Sequence, residues 1–155
     1  MTMLPLHSGQ LSVLRVRALM MTVLLGLILL ALDLGPLWDT PIPFGLVSGA
    51  GTALLVLWGF WSSKRRYESW GYKVEEDELH VQYGIWTRVR TVVPFSRVQH
   101  IDVAQGPLER RFGVGRLILH TAGTRSSAVG LPGLEFGAAA ELRDLIRSRI
   151  RQEPT

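Results

Sequence analysis

The stretch ALMMTVLLGLILLALDLGPLWDTPIPFGLVSGAGTALLVLWGFW, Ala18 to Trp61, decides the architecture. From Ala18 to Leu32 it carries no charge, and from Ile42 to Trp61 it again carries none. A bilayer core of about 30 Å needs about 20 mostly apolar residues in a helix rising ~1.5 Å each. Both segments meet that length, the first by running on past Asp33 towards residue 37. Between them Pro36, Pro41 and Pro43 break any continuous helix, and Trp38 is an aromatic of the kind that settles at headgroup depth. Such a short break predicts a hairpin of two membrane helices, about 16–37 and 42–61, preceded by an N-terminal segment over 1–15.

Basic residues set the orientation. Arg15 and Arg17 stand before the first span and Lys64, Arg65 and Arg66 after the second, whereas the connection offers Asp33 and Asp39. Cytoplasmic flanks collect Lys and Arg, so a multi-pass protein of the bacterial inner membrane with both termini cytoplasmic is expected. A cleaved secretory leader is the rival interpretation of the first span. No small-x-small cleavage site follows the apolar core, however, and a second span arrives at once.

Within the spans, small residues recur every four positions: Ala18, Thr22 and Gly26 in the first, Gly45, Gly49 and Ala53 in the second. Such rows let helices approach closely where lipid supplies no hydrophobic drive, so they are candidates for packing the hairpin or joining protomers.

Composition splits at the same boundary. Of 17 Lys+Arg and 13 Asp+Glu in the 155 residues, all but two of each sign follow Trp61, and the net charge of +4 belongs to that later part. A mildly basic domain beside a bilayer suits anionic headgroups, and it lacks the dense basic stripe of a nucleic-acid binder. The chain has no cysteine, which excludes disulfides, thiolate metal sites and cysteine nucleophiles.

After Tyr67 the period changes to two. Leu79, Val81 and Tyr83 share one face and His80 and Gln82 the other, and Gly84 turns the chain into a second run from Trp86 to Pro94. There Val89, Thr91 and Val93 face one way, and Arg88, Arg90 and Val92 the other. Further strands are expected at Val98–Ala104, Arg116–Thr121 and Ser127–Leu131, with a short helix opened by Pro107. Phe136, Ala139, Leu142, Leu145, Ile146 and Ile150 then recur at three and four, an amphipathic helix whose last turns hold Arg147, Arg149 and Arg151 and which stops before Pro154. The soluble part over 67–151 is therefore an α+β module, a bent antiparallel sheet or partial barrel capped by a C-terminal helix.

Catalytic chemistry finds no foothold. His7, His80, His100 and His120 are scattered without ligand spacing, and Ser96, His100 and Asp102 lack a nucleophile elbow or an oxyanion-hole signature. Glu75, Glu76, Asp77 and Glu78 read as a solvated turn. No catalytic residue, metal site, cofactor or small-molecule substrate is expected.

The run WGYKVEEDELHVQYGIWTRVRTVVPFSRVQHIDVAQGPLERRFGVGRLILHTAG, residues 70–123, resembles the bacterial pleckstrin-homology domain of YdbS-like membrane proteins. The features that carry the likeness are Asp77-x-Leu79, Gly84, Pro94-x-x-Arg97-Val98-Gln99-His100, Gln105-x-x-Leu108-x-Arg110 and Gly113, with paired membrane helices ahead of them. The resemblance implies a pleckstrin-homology fold without enzymatic activity. It makes Lys73, Arg88 and Arg90 the candidate lipid or partner-binding residues, because lipid-binding members of that fold use a Lys followed by Arg-x-Arg, although here an extra strand separates Lys73 from the arginines. Expected partners are membrane lipids and either a protein partner or further copies of the chain. A scaffold or self-associating subunit of the envelope is the leading function, and an anionic-headgroup sensor the alternative.

Overall fold

In a computed structural model, residues 3–35, 37, 40–122 and 128–152 are described. Pro36, Trp38, Asp39, Ser127 and Pro154, and the side chain of Arg151, lie outside them. The chain divides into two units, the hairpin Leu14–Arg65 and a second unit built from the flanking residues on both sides.

The hairpin comprises most of α1 (Gly9–Leu34) and α2 (Leu46–Glu68), helices of roughly 39 Å and 34 Å. Relative to the spans expected from hydropathy, α1 starts earlier, at Gly9, and ends at Leu34, short of residue 37, whereas α2 starts later and runs past Trp61 to Glu68. The apolar pattern marks what hydrocarbon tolerates, whereas a helix continues until a breaker stops it. Pro43 and Gly45, the latter at φ +80°, delay α2 to Leu46. Leu19, Met20, Leu24, Leu27, Leu54 and Leu57 are exposed, which a water-soluble helix pair would not tolerate and a bilayer does. Asp33 is buried in the hairpin, where its Oδ2 accepts the Ser48 N–H at 2.9 Å and so satisfies an orphan donor in the first turn of α2.

The other unit holds two antiparallel three-stranded sheets. β1 (Gly71–Val74), β2 (Glu78–Tyr83) and β3 (Val89–Pro94) form one in that order. β4 (Val98–Ala104), β5 (Val114–Thr121) and β6 (Ala128–Glu135) form the other. A 3₁₀ turn, Phe95–Arg97, links the sheets, and α3 (Pro107–Arg111) lies between β4 and β5. Alternation works as the sequence implies: Leu79, Val81 and Val93 face inward to meet Leu117, Leu119 and Leu131 from the second sheet. The helix α4 (Phe136–Gln152) closes this core with Ala139 and Ile146 fully buried and Leu142 and Ile150 packed beside them. The class is α+β, two sheets and a capping helix.

The domain differs from the sequence pattern in several places, β5 among them, which begins at Val114 and not at Arg116. β3 begins at Val89, not Trp86, because Gly84 at φ +114° opens a loop through Arg88. β6 runs past Leu131 to Glu135 although it contains Pro132. A register shift opposite Gly115 and Arg116 and the left-handed Gly133 (φ +71°) absorb the proline as a bulge. On α4, Phe136 and Leu145 fall outside the buried stripe and are exposed.

Residues 3–13 are built into this unit. Leu4 exchanges backbone hydrogen bonds with Tyr72 at the edge of β1, and His7 N–H donates to Gly133 O at 2.8 Å. Leu6, 4% exposed, joins the core, and its carbonyl accepts the Tyr67 hydroxyl at 2.8 Å. Gln10 packs so tightly on Gly133 that a Cβ there would come within 2.7 Å of its side chain. These residues form a strap over the domain.

Candidate functional surfaces

The register of the first sheet decides which polar residues can act together. Lys73 stands opposite His80, and His80 opposite Val92; Gln82 stands opposite Arg90. Residues directly opposite share a face, so Lys73, His80, Gln82, Arg90 and Val92 line the side away from the core. Arg88 is exposed in the loop that leads into β3.

Sharing a face does not assemble the three bases into one site. Lys73 Nζ lies 2.6 Å from Glu75 Oε1, and the same carboxylate reaches His80 Nε2 at 3.6 Å. His80 Nε2 also lies 2.6 Å from Glu78 Oε1. The hydrogen bond and charge of Lys73 hold the Glu75 carboxyl below its ordinary value of 4.5. Lys73 is thus neutralised within a local acidic cluster, whereas Arg90 meets a neutral partner, its Nε donating to Gln82 Oε1 at 3.1 Å. Among the described residues neither Arg88 nor Arg90 has an ion pair.

Ligand-type atoms of Glu75, Glu78 and His80 lie within 4.8 Å of one another, a gathering that sequence spacing alone did not suggest. The Lys73 ammonium competes for this cluster. On the second sheet, His100 Nε2 and His120 Nε2 contact the two oxygens of Asp102 at 2.7 and 3.1 Å. All three are substantially exposed, and His100 also lines a cavity with Gln99, Arg143 and Arg147. Ser96 sits in the 3₁₀ turn ahead of them.

The motifs that carry the family likeness do structural work. Gln105 Nε2 donates to Val114 O, the left-handed Gly113 (φ +67°) ends α3, and Glu109 is buried there. Glu109 Oε2 accepts the Gly106 N–H at 2.6 Å and its Oε1 accepts from Arg116 at 2.7 Å. That carboxylate escaped the sequence reading, although a Glu three residues into a helix is the position that caps back onto its start.

In the hairpin, Ala18, Thr22 and Gly26 face α2: Gly59 lies against Ala18, and Gly26 against Thr52. The second row is arranged otherwise, with Gly49 and Ala53 exposed and Gly45 ahead of the helix. Lys64, Arg65 and Arg66 are exposed along the last turns of α2, and the Arg65 guanidinium lies 5.5 Å from the Trp61 ring centre.

Comparison with known proteins gives the same picture of the fold. The transmembrane protein YdbS of Bacillus subtilis (strain 168) is 40% identical over 88 residues, which are 57% of this chain. The match spans about half, 54%, of that relative's length. No solved structure matches the chain. Residues 13–150 match the model of a family described as "Bacterial PH domain", which takes in most of α1, all of α2, both sheets and most of α4 and leaves out nearly all of the strap. Two apolar helices followed by this double sheet and its capping helix are what that match covers, and the chain belongs to the bacterial PH domain family.

Proposed function

We propose that this protein is a non-enzymatic PH module anchored in the bacterial inner membrane, with its domain and both chain ends cytoplasmic, acting as a scaffold for a protein partner or as a self-associating subunit. One observation carries the anchoring: residues 3–13 and the chain from Arg66 onward build a single unit, with the apolar hairpin Leu14–Arg65 between them. A folded unit cannot lie on both sides of a bilayer, so a spanning hairpin must leave and return on the same face. Arg15, Arg17 and Lys64–Arg66 make the cytoplasmic face the favoured one. Leu6 in the core also speaks against a cleaved leader, whose removal would strip the domain of a buried side chain.

The absence of cysteine makes the test direct. Single cysteines at Thr40, in the connection, and at Glu141, exposed on α4, are challenged with a membrane-impermeant maleimide on intact spheroplasts. Labelling of Thr40→Cys alone, with Glu141→Cys reacting only after permeabilisation, is expected. The opposite pattern refutes the orientation, and a native-mass measurement that finds a lone monomer without co-purifying protein refutes the scaffold.

A further inference from the structure

We infer that the β2–β3 loop docks on an anionic bilayer surface, Ile85 and Trp86 entering the headgroup layer while Arg88 and Arg90 meet lipid phosphates; this rests on the chain being anchored in a membrane. Trp86 is 87% exposed, and Ile85 beside it is exposed as well. A large aromatic left almost wholly in water is the costly exception on a domain surface, and Trp70 shows the ordinary arrangement by stacking on Tyr83 at 4.8 Å. Left-handed Gly84, whose added Cβ would overlap the Thr87 carbonyl oxygen, fixes the tight turn that keeps Ile85 and Trp86 at the tip.

Charge selects the occupant. From Gly84 to Val92 the sequence GIWTRVRTV contains two arginines and no acid. The acidic cluster at Glu75 and Glu78 sits at the other end of β2, roughly 17 Å away at strand rise, about two screening lengths in physiological salt. The tip therefore presents positive charge beside apolar rings. Tryptophan is at home at headgroup depth and arginine is drawn to an anionic leaflet, so a bilayer satisfies both halves of the loop. Tethering by the hairpin supplies such a surface at high local concentration.

The test uses the full chain in lipid nanodiscs, with Thr87→Cys, an exposed position, carrying an environment-sensitive fluorophore. With phosphatidylglycerol present, emission moves to the blue and headgroup-level nitroxide lipids quench it; in pure phosphatidylcholine discs both effects shrink, and high salt abolishes them. Arg88→Gln and Arg90→Gln each lower the docking constant roughly fivefold. Trp86→Ser weakens docking while Trp86→Tyr largely preserves it. Identical emission in both lipids overturns the inference, as does quenching that follows the number of copies per disc, the mark of a protein contact. Failure of the anchoring itself would look different: the chain would wash out of every disc.

Discussion

Replacing Leu6 by Ala tests whether the strap is part of the domain's core. Leu6 is 4% exposed and packs with residues from both sheets and α4. Truncation removes about three buried carbons, roughly 2.4 kcal/mol of transfer free energy, and the residual cavity raises the cost to about 3 kcal/mol. For a unit of about 100 residues, each kcal/mol moves the midpoint by about 4–8 °C, so the soluble unit should melt about 12–24 °C lower. The control is Leu4→Ala. Leu4 is 53% exposed and holds β1 through its backbone, so its truncation should cost less than about 1 kcal/mol. Differential scanning calorimetry of the full chain in detergent measures both. An unchanged midpoint for Leu6→Ala would refute the strap's place in the core, and equal losses for both variants would refute the argument from burial.

Other expectations follow from local geometry. Gly84→Ala forces a side chain into left-handed backbone against the Thr87 carbonyl and should cost about 3 kcal/mol or more, read as a lower unfolding midpoint. Glu109→Gln keeps an acceptor for the Gly106 N–H but loses the charge facing Arg116; with the arginine partly in water, chemical denaturation should register a loss of about 1–2 kcal/mol. Because the folded Glu75 carboxyl titrates below its ordinary value, its contribution is present above pH 4.5 and fades as pH falls through the lowered value. Lys73→Gln should return that titration upward in carboxyl carbon NMR, and an unmoved curve would remove Lys73 as the cause.

What could be read in the sequence was what depends on a local period. The charge-free runs, the alternation over Leu79–Tyr83 and the three-four spacing of Ala139, Leu142, Ile146 and Ile150 each need only neighbours, and the fold class came with them. The strap could not be read this way, because MTMLPLHSG has no period and Leu6 finds its partners more than sixty residues on. On α2, small residues occupy several sides at once, so composition could not say whether Gly49 or Gly59 meets α1; contact in the folded hairpin selects Gly59. The neutralisation of Lys73 was closer to legible, since Lys73 and Glu75 are two apart at strand period and lie on one side. Trp86 was hidden for the opposite reason: a strand-forming residue next to a strand pattern was absorbed into it, and Gly84 was the sign that the strand had not yet begun.

Strap and hairpin also depend on each other energetically. Without the membrane helices, Leu14–Arg65 would be a flexible loop of about 50 residues, and closing it costs on the order of 3–4 kcal/mol. That nearly cancels the roughly 3 kcal/mol that burying Leu6 supplies. Folded as an antiparallel helix pair, with Ala18 against Gly59, the hairpin already brings its ends together, and bilayer insertion bears the closure cost. The docked strap in turn ties residues 13 and 66, which flank the hairpin, into one folded unit. Exchanging the hairpin for a flexible Gly/Ser linker of equal length should therefore leave residues 66–152 folded but release the strap. Amide hydrogen exchange at Leu4 and His7, whose N–H groups bond Tyr72 and Gly133, should accelerate by two orders of magnitude or more for a loss of about 3 kcal/mol. Protection at those two amides equal to that in the full chain would show that the strap binds unaided and that the coupling is absent.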